Sequence, residues 1–247
     1  MAVSTGPTPD LGPGPEPGRG PAPQQTPGAR PDGRQSGLLT LTRAVLRLTV
    51  RVVAVGGVRM EGMSNIPSVG PLLICSNHVS NFDPLVYAAI LPRVLHALTK
   101  AELYDNAVMR AFLLRCNCIP VRRGSPDRLA VRGALAVWGA LAVLRLGGAL
   151  LLFPEGHRAL PGNMPQFEPG AGYLALRSGA AVLPCAIWGT EHVLPKRRLV
   201  PRRGRISVRV GEPFRPIGKD AVATSSEIRA RVAELLPERY RPSADSD

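Results

Sequence analysis

Aromatic side chains are scarce in this chain: Trp, Tyr and Phe make up 4% of its 247 residues. No basic helix and no aromatic strand motif of a nucleic-acid module is present, so nucleic acid is set aside as the partner. Carboxylates are also few, 18 Asp and Glu against 31 Lys and Arg. The resulting charge of +13 calls for an anionic counterpart, a lipid surface or a phosphate-bearing substrate. Four cysteines, Cys75, Cys116, Cys118 and Cys185, lie scattered in apolar segments, which suits free thiols in a reducing compartment. Cys116-x-Cys118 lacks zinc-ligand spacing and a second cysteine pair, so no metal site and no bound cofactor is expected. No Gly-x-Ser-x-Gly elbow occurs, which speaks against a serine hydrolase. The first residues lack the basic start and apolar core of a secretory signal. The longest apolar stretch, Leu38 to Val58, is interrupted by Arg43, Arg47 and Arg51. Each arginine at a bilayer centre costs about 2.5–3.5 kcal/mol, so the stretch is not read as a membrane span.

The organisation along the chain follows from composition and period. Residues 1–36 are dominated by Pro, Gly and small polar residues and cannot bury enough surface to offset their ordering entropy. A disordered tail is expected there and again over 241–247. Leu38, Leu41, Val45, Leu48, Val52 and Val55 recur at spacings of three and four, with the three arginines on another face. This predicts an amphipathic helix over 37–57, ended by Gly56-Gly57. Its apolar stripe would either dock on the core or lie in a membrane interface with arginines at lipid phosphates.

From residue 58 to 240 short apolar runs alternate with longer helical stretches. Strands are expected near Val58–Met60, Leu72–Ser76, Leu95–Thr99, Cys118–Val121, Ala149–Phe153, Ala181–Trp188 and Ile206–Val210. Helices fit Pro84–Leu91, Ala107–Leu114, Asp127–Leu146, Ala171–Arg177 and Ser225–Leu236, the last opening on a capping box, Thr224 to Glu227. The fold class is α/β, with a mixed, mostly parallel sheet flanked by helices behind an N-terminal amphipathic helix.

Two polar stretches stand directly after apolar runs, where open α/β sheets assemble their sites. Asn77-His78-Val79-Ser80-Asn81-Phe82-Asp83 follows Leu72-Leu73-Ile74-Cys75. A neutral imidazole can take a proton from an alcohol, and a carboxylate on its other nitrogen can fix the tautomer and steady the cation that forms. Asp83-Pro84 also reads as a helix cap followed by a first-turn proline, a role compatible with holding His78. Phe153-Pro154-Glu155-Gly156-His157-Arg158 follows Leu150-Leu151-Leu152. The planar fork of an arginine suits a phosphate, and Gly156 permits close backbone approach.

Together these motifs resemble those of the lysophosphatidic acid acyltransferases, the 1-acyl-glycerol-3-phosphate acyltransferase family. Its Asn-His-x-x-x-x-Asp, Ile-x-Val-x-Arg, Phe-Pro-Glu-Gly-x-Arg and Val-x-Pro blocks have counterparts, in order, at 77–83, Ile119 to Arg123, 153–158 and Val182-Leu183-Pro184. The resemblance implies that His78 is the general base and Asp83 its orienting partner. It further implies that Asn77, Arg123, Glu155, Gly156 and Arg158 bind substrate, with Glu155, Gly156, Arg158 and Arg123 placing the acceptor. The family often has Asp before its second-block arginine, whereas this chain has Arg122, which leaves the acceptor open. The implied reaction moves a fatty acyl group from acyl-CoA or acyl carrier protein to a lysophospholipid hydroxyl, at an anionic membrane surface, with the enzyme peripheral on the cytoplasmic face of the cell membrane. Two other readings stand beside it: a thioester or lipid hydrolase, and a non-catalytic lipid-binding protein. The basic run from Lys196 to Arg205 could meet lipid headgroups, coenzyme A phosphates or an acidic carrier protein.

Overall fold

Leu72–Ser76 is buried at every position, as expected of a strand covered on both faces by helices. The computed structural model describes residues 37–121, 126–159, 161–198, 200–218 and 220–242. Among these, the strands are β1 (Ala54–Glu61), β2 (Leu72–Ser76), β3 (Leu95–Lys100), β4 (Cys118–Val121), β5 (Ala149–Leu152), β6 (Ala181–Trp188) and β7 (Gly204–Val210). The helices are α1 (Gly37–Val53), α2 (Asp83–Ile90), α3 (Ala107–Arg115), α4 (Pro126–Arg145), α5 (Gly170–Ser178), the single turn α6 (Thr190–Val193) and α7 (Ala221–Leu235). The strands form one sheet in the order β1-β7-β6-β2-β5-β3-β4. Only β6–β7 is antiparallel, so the mixed, mostly parallel sheet read from the sequence is the one observed.

Alternate residues of β2 feed two cores. Leu72 and Ile74 pack with Phe82, Val86 and Tyr87 of the α2 side. Leu73 and Cys75 pack with Leu141 and Leu144 of α4, Leu174 of α5 and Ile228 of α7. This alternation fixes the register, because a one-residue slip would exchange the faces. Leu183 and Val182, in the fourth sequence block, belong to these cores on β6 and are fully buried.

Three local expectations are corrected. Helix α1 ends at Val53, not at the Gly56-Gly57 pair. Those glycines sit in the irregular first half of β1, where the register against β7 shifts between Ala54 and Val58. Helix α7 starts at Ala221, capped by Asp220, whose carboxylate accepts from the Val222 and Ala223 amides. The expected capping box is absent because Thr224 lies inside the helix, its hydroxyl donating to the Asp220 carbonyl at 2.8 Å, and Glu227 accepts from Arg231 instead.

The third correction concerns how α1 is turned. Leu46, Val50 and Val53 are its buried residues. Arg43 donates to the Leu91 carbonyl at 2.7 Å and Arg47 to the Ala89 carbonyl at 3.0 Å. These two arginines thus serve the open C-terminal carbonyls of α2, where cations complement the helix dipole. Leu41, Val45, Leu48, Val52 and Val55 are exposed, so the apolar stripe points away from the domain instead of docking on it. The expected tails, 1–36 and most of 241–247, lie outside the described residues. Arg241 is described and donates to the Leu236 carbonyl.

Candidate active site

The carboxyl ends of β5, β2 and β6 lie side by side, since β2 pairs in parallel with both neighbours. Each is followed by a polar segment: 153–158 after β5, 77–83 after β2, and Gly189-Thr190 after β6. The strand order therefore gathers segments from three distant parts of the chain at one edge of the sheet. The two motif loops touch directly. The Ala159 amide donates to the His78 carbonyl at 2.9 Å, and the His78 amide donates to Glu155 Oε1 at 3.0 Å.

His78 and Asp83 are brought together as the sequence implied. His78 Nδ1 lies 2.8 Å from Asp83 Oδ2. The same oxygen accepts from the Val79 amide at 2.9 Å and the Ser80 amide at 2.8 Å. Its partner Oδ1 accepts from the Thr190 hydroxyl. Asp83 is wholly buried. A buried carboxylate requires such compensation, and four donors supply it here. Because a carboxylate only accepts, Nδ1 must carry the proton towards it, leaving the lone pair on Nε2. Nε2 has no partner among the described residues and is not sealed from solvent. The imidazole lies flat on Phe153, with centroids 4.2 Å apart and planes inclined by 23°, which fixes the ring from its face as well as its edge.

Asp83 does not act as the cap that Asp-Pro implied. Helix α2 begins at Asp83 itself, without a side-chain cap. The carboxylate turns back onto the preceding amides, closing the loop that carries His78.

Asn77 and Glu155 are both held by groups of the protein itself. The Asn77 side chain donates to the Ile187 carbonyl and accepts from the Ile187 amide, both at 2.8 Å. Both functions of its amide are thus spent joining the end of β2 to β6. Glu155 is buried beneath the loop, holding the His78 amide. Its Oε2 is buried without a partner. Burial pushes this carboxyl up to about 8, with the His78 amide opposing and the Asp83 charge adding to the rise. Near neutral pH Glu155 is then a neutral acid beside Asp83.

Gly156 takes a positive φ of 72° in the turn closed by its amide on the Phe153 carbonyl. Past that turn Arg158 is half-buried and makes no hydrogen bond or ion pair with any described residue. An unpaired guanidinium at the carboxyl edge is suited to an anionic ligand. His157 is exposed. Arg122 and Arg123 lie outside the described residues.

Thr190 escaped the sequence reading. It is fully buried and reaches Asp83 from 107 positions away in the chain. Its placement depends on Gly189, which has a φ of 90° and packs so closely that a Cβ there would lie 2.1 Å from the Arg205 carbonyl oxygen. The available signal was positional: Gly-Thr follows a predicted buried strand as the two motif loops do.

The raised Glu155 carboxyl gives stability a pH dependence. Unfolded, the group titrates near its ordinary 4.5; folded, near 8. Between these values the native state keeps a proton that the unfolded state has lost, so this group's contribution declines as pH rises through the interval and levels off above it. Glu155→Gln preserves the acceptor for His78 and removes the titration. Urea unfolding at a series of pH values should show a smaller decline between about pH 5 and about pH 8 in the variant than in the parent protein. Equal declines would place the Glu155 titration elsewhere.

The Acyltransferase family model matches residues 57–188, more than half of the chain. The 1-acyl-sn-glycerol-3-phosphate acyltransferase of Pseudomonas aeruginosa is 31% identical over 202 residues, covering 78% of this chain and 76% of that protein. The chloroplastic 1-acyl-sn-glycerol-3-phosphate acyltransferase LPAT1 of Arabidopsis thaliana is 26% identical over 182 residues, 72% of this chain. The chain spans about half the length of that plant protein, 49%, and 60% of the 1-acyl-sn-glycerol-3-phosphate acyltransferase of Borreliella burgdorferi. The crystal structure of the 1-acyl-sn-glycerophosphate acyltransferase PlsC from Thermotoga maritima has the same fold, with a TM-score of 0.66 and 22% identity over 80% of this chain and 78% of that one. On the family match and the identity to the Pseudomonas protein, the chain belongs to the Acyltransferase family.

Proposed function

We propose that this chain transfers a fatty acyl group from a thioester donor, acyl-CoA or acyl carrier protein, to the free hydroxyl of lysophosphatidic acid or a related lysolipid. The observation that carries the reading is the His78–Asp83 pair, in which Nδ1 is held at 2.8 Å and Nε2 is left unpartnered. Nε2 removes the proton as the acceptor oxygen attacks the thioester carbonyl. The tetrahedral intermediate then collapses, the acyl–oxygen ester remains, and the carbon–sulfur bond breaks. The thiolate leaving group recovers the proton from the imidazolium, so the base is regenerated each turn. Asp83 stabilises that imidazolium while it lasts. Arg158 takes the acceptor phosphate, its free guanidinium and half-buried position supporting that role. The names borne by the relatives support the same acceptor class.

The enzyme works at a membrane surface without crossing it. Among the described residues no helix is long and apolar enough to span a bilayer. The outward stripe of α1 supports interfacial attachment, with Leu41, Val45, Leu48 and Val52 available to the acyl layer. Attachment is assigned to the cytoplasmic face, where the four free thiols would stay reduced.

His78→Ala should lower kcat for acyl transfer from acyl-CoA to lysophosphatidic acid by about 10²–10⁴ while the thermal unfolding transition persists. Full activity would remove His78 from the mechanism, and acceptor-independent release of free fatty acid by the parent enzyme would make it a hydrolase. Arg158→Ala should act on binding, raising KM for the acceptor about 10- to 100-fold with little effect on donor KM. An unchanged acceptor KM would sink the phosphate role. Thr190→Val should reduce kcat about 10- to 100-fold at nearly constant KM, because a displaced Asp83 misaims the base. Thr190→Ser, which retains the hydroxyl, should restore most of the rate; failure of that rescue would mean that volume, not the hydrogen bond, matters.

A further inference from the structure

The segment between α6 and β7 carries Lys196, Arg197, Arg198, Arg202 and Arg203, and Arg205 follows at the start of β7, all exposed. No described residue pairs with any of their side chains, and residues 192–211 contain no Asp or Glu. Both ends of this loop are anchored beside the catalytic loop. Ser80, two residues after His78, donates to the Leu194 carbonyl at 2.9 Å. The Arg202 amide closes the loop onto the Val193 carbonyl at 2.7 Å. The cations are therefore displayed at the carboxyl edge of the sheet, where His78 lies.

The loop also adjoins the apolar helix. Gly204, where it enters β7, pairs with Ala54, the residue directly after α1. Exposed Val52 and Val55 flank that pairing, and residues 37–60 likewise contain no carboxylate. An apolar stripe and an unpaired cationic loop thus meet at the end of the domain that holds the site.

We propose that the Lys196–Arg205 loop and the outward stripe of α1 form one membrane-docking face, in which the stripe enters the acyl layer and the loop selects anionic lipid headgroups. This rests on the interfacial attachment proposed above and assigns the charge selection to a separate element. The two arginines of α1 nearest the domain, Arg43 and Arg47, are occupied with the α2 carbonyls, so the loop supplies the headgroup contacts that α1 was expected to make. An acidic carrier protein would also suit six cations. It would have no use for the apolar stripe beside them, and the membrane is favoured for that reason.

The test compares two variants of the full chain on phosphatidylcholine and phosphatidylglycerol vesicles by co-sedimentation. The loop variant combines Lys196→Gln, Arg197→Gln, Arg198→Gln, Arg202→Gln and Arg203→Gln; the helix variant combines Leu48→Gln and Val52→Gln. Each cation near an anionic surface contributes about fivefold to partitioning. The loop variant should lose at least about 100-fold in binding to phosphatidylglycerol, keep its weak binding to phosphatidylcholine, and retain acyl transfer from acyl-CoA in neutral detergent micelles. The helix variant should lose binding to both lipids. Unchanged phosphatidylglycerol binding by the loop variant, or equal losses on both lipids, overturns the selection role while leaving attachment by α1 intact. Retained vesicle binding with a selective loss of transfer from acyl carrier protein overturns it in favour of the carrier. Failure of the helix variant to lose binding overturns the interfacial attachment itself.

Discussion

The carboxylate of Asp83 is the point on which the site is built. It is wholly buried, and it survives burial because four donors converge on it: the His78 imidazole, the Val79 and Ser80 amides and the Thr190 hydroxyl. An uncompensated charge there would cost several kcal/mol. The requirement runs both ways. Satisfying the carboxylate closes the 78–83 loop into one conformation, selects the imidazole tautomer and draws the turn after β6 into the site. The positions of the imidazole and the loop are consequences of one electrostatic demand.

The surrounding structure relieves the site of competing charge and competing motion. Glu155, whose carboxyl burial pushes up to about 8, holds the His78 amide as a neutral strut near physiological pH. A second ionised carboxylate next to Asp83 would repel it. Asn77 ties β2 to β6 through both ends of its amide, so the strand ends that carry His78 and Thr190 cannot slide past one another without exposing buried peptide groups. Phe153 braces the ring from its face. Each of these residues lies in or beside a recognisable motif, yet acts on the geometry of the His78 imidazole. That distribution accounts for a long motif around a single imidazole.

The parts of this arrangement that were legible in the sequence are those governed by period and by local spacing. β2, β5 and β6 read as buried strands because their apolar runs are continuous, and His78 and Asp83 announced themselves by standing five residues apart after one of them. The parts that were hidden depend on partners distant in the chain. The facing of α1 is an example: its residues describe two usable stripes, and the open carbonyls at Ala89 and Leu91 decide which one turns inward. Thr190 is another, since a Gly-Thr pair carries no chemical signature until the sheet order places it against Asp83. For Thr224, the local capping signal competed with Asp220, which caps the helix upstream of it, and lost. The sequence could name Glu155 and Asn77 as members of the site but not say which way their side chains face.

The central claim is that Asp83 holds His78 as the Nδ1-protonated tautomer with a free lone pair on Nε2. Nitrogen-15 NMR of the imidazole in the resting protein at a pH where it is neutral reads this directly. The account predicts a pyrrole-type, protonated Nδ1 and a pyridine-type, bare Nε2, with both signals altered in Asp83→Asn. A protonated Nε2 in the parent protein would contradict it, since that nitrogen could not then accept a proton from any hydroxyl.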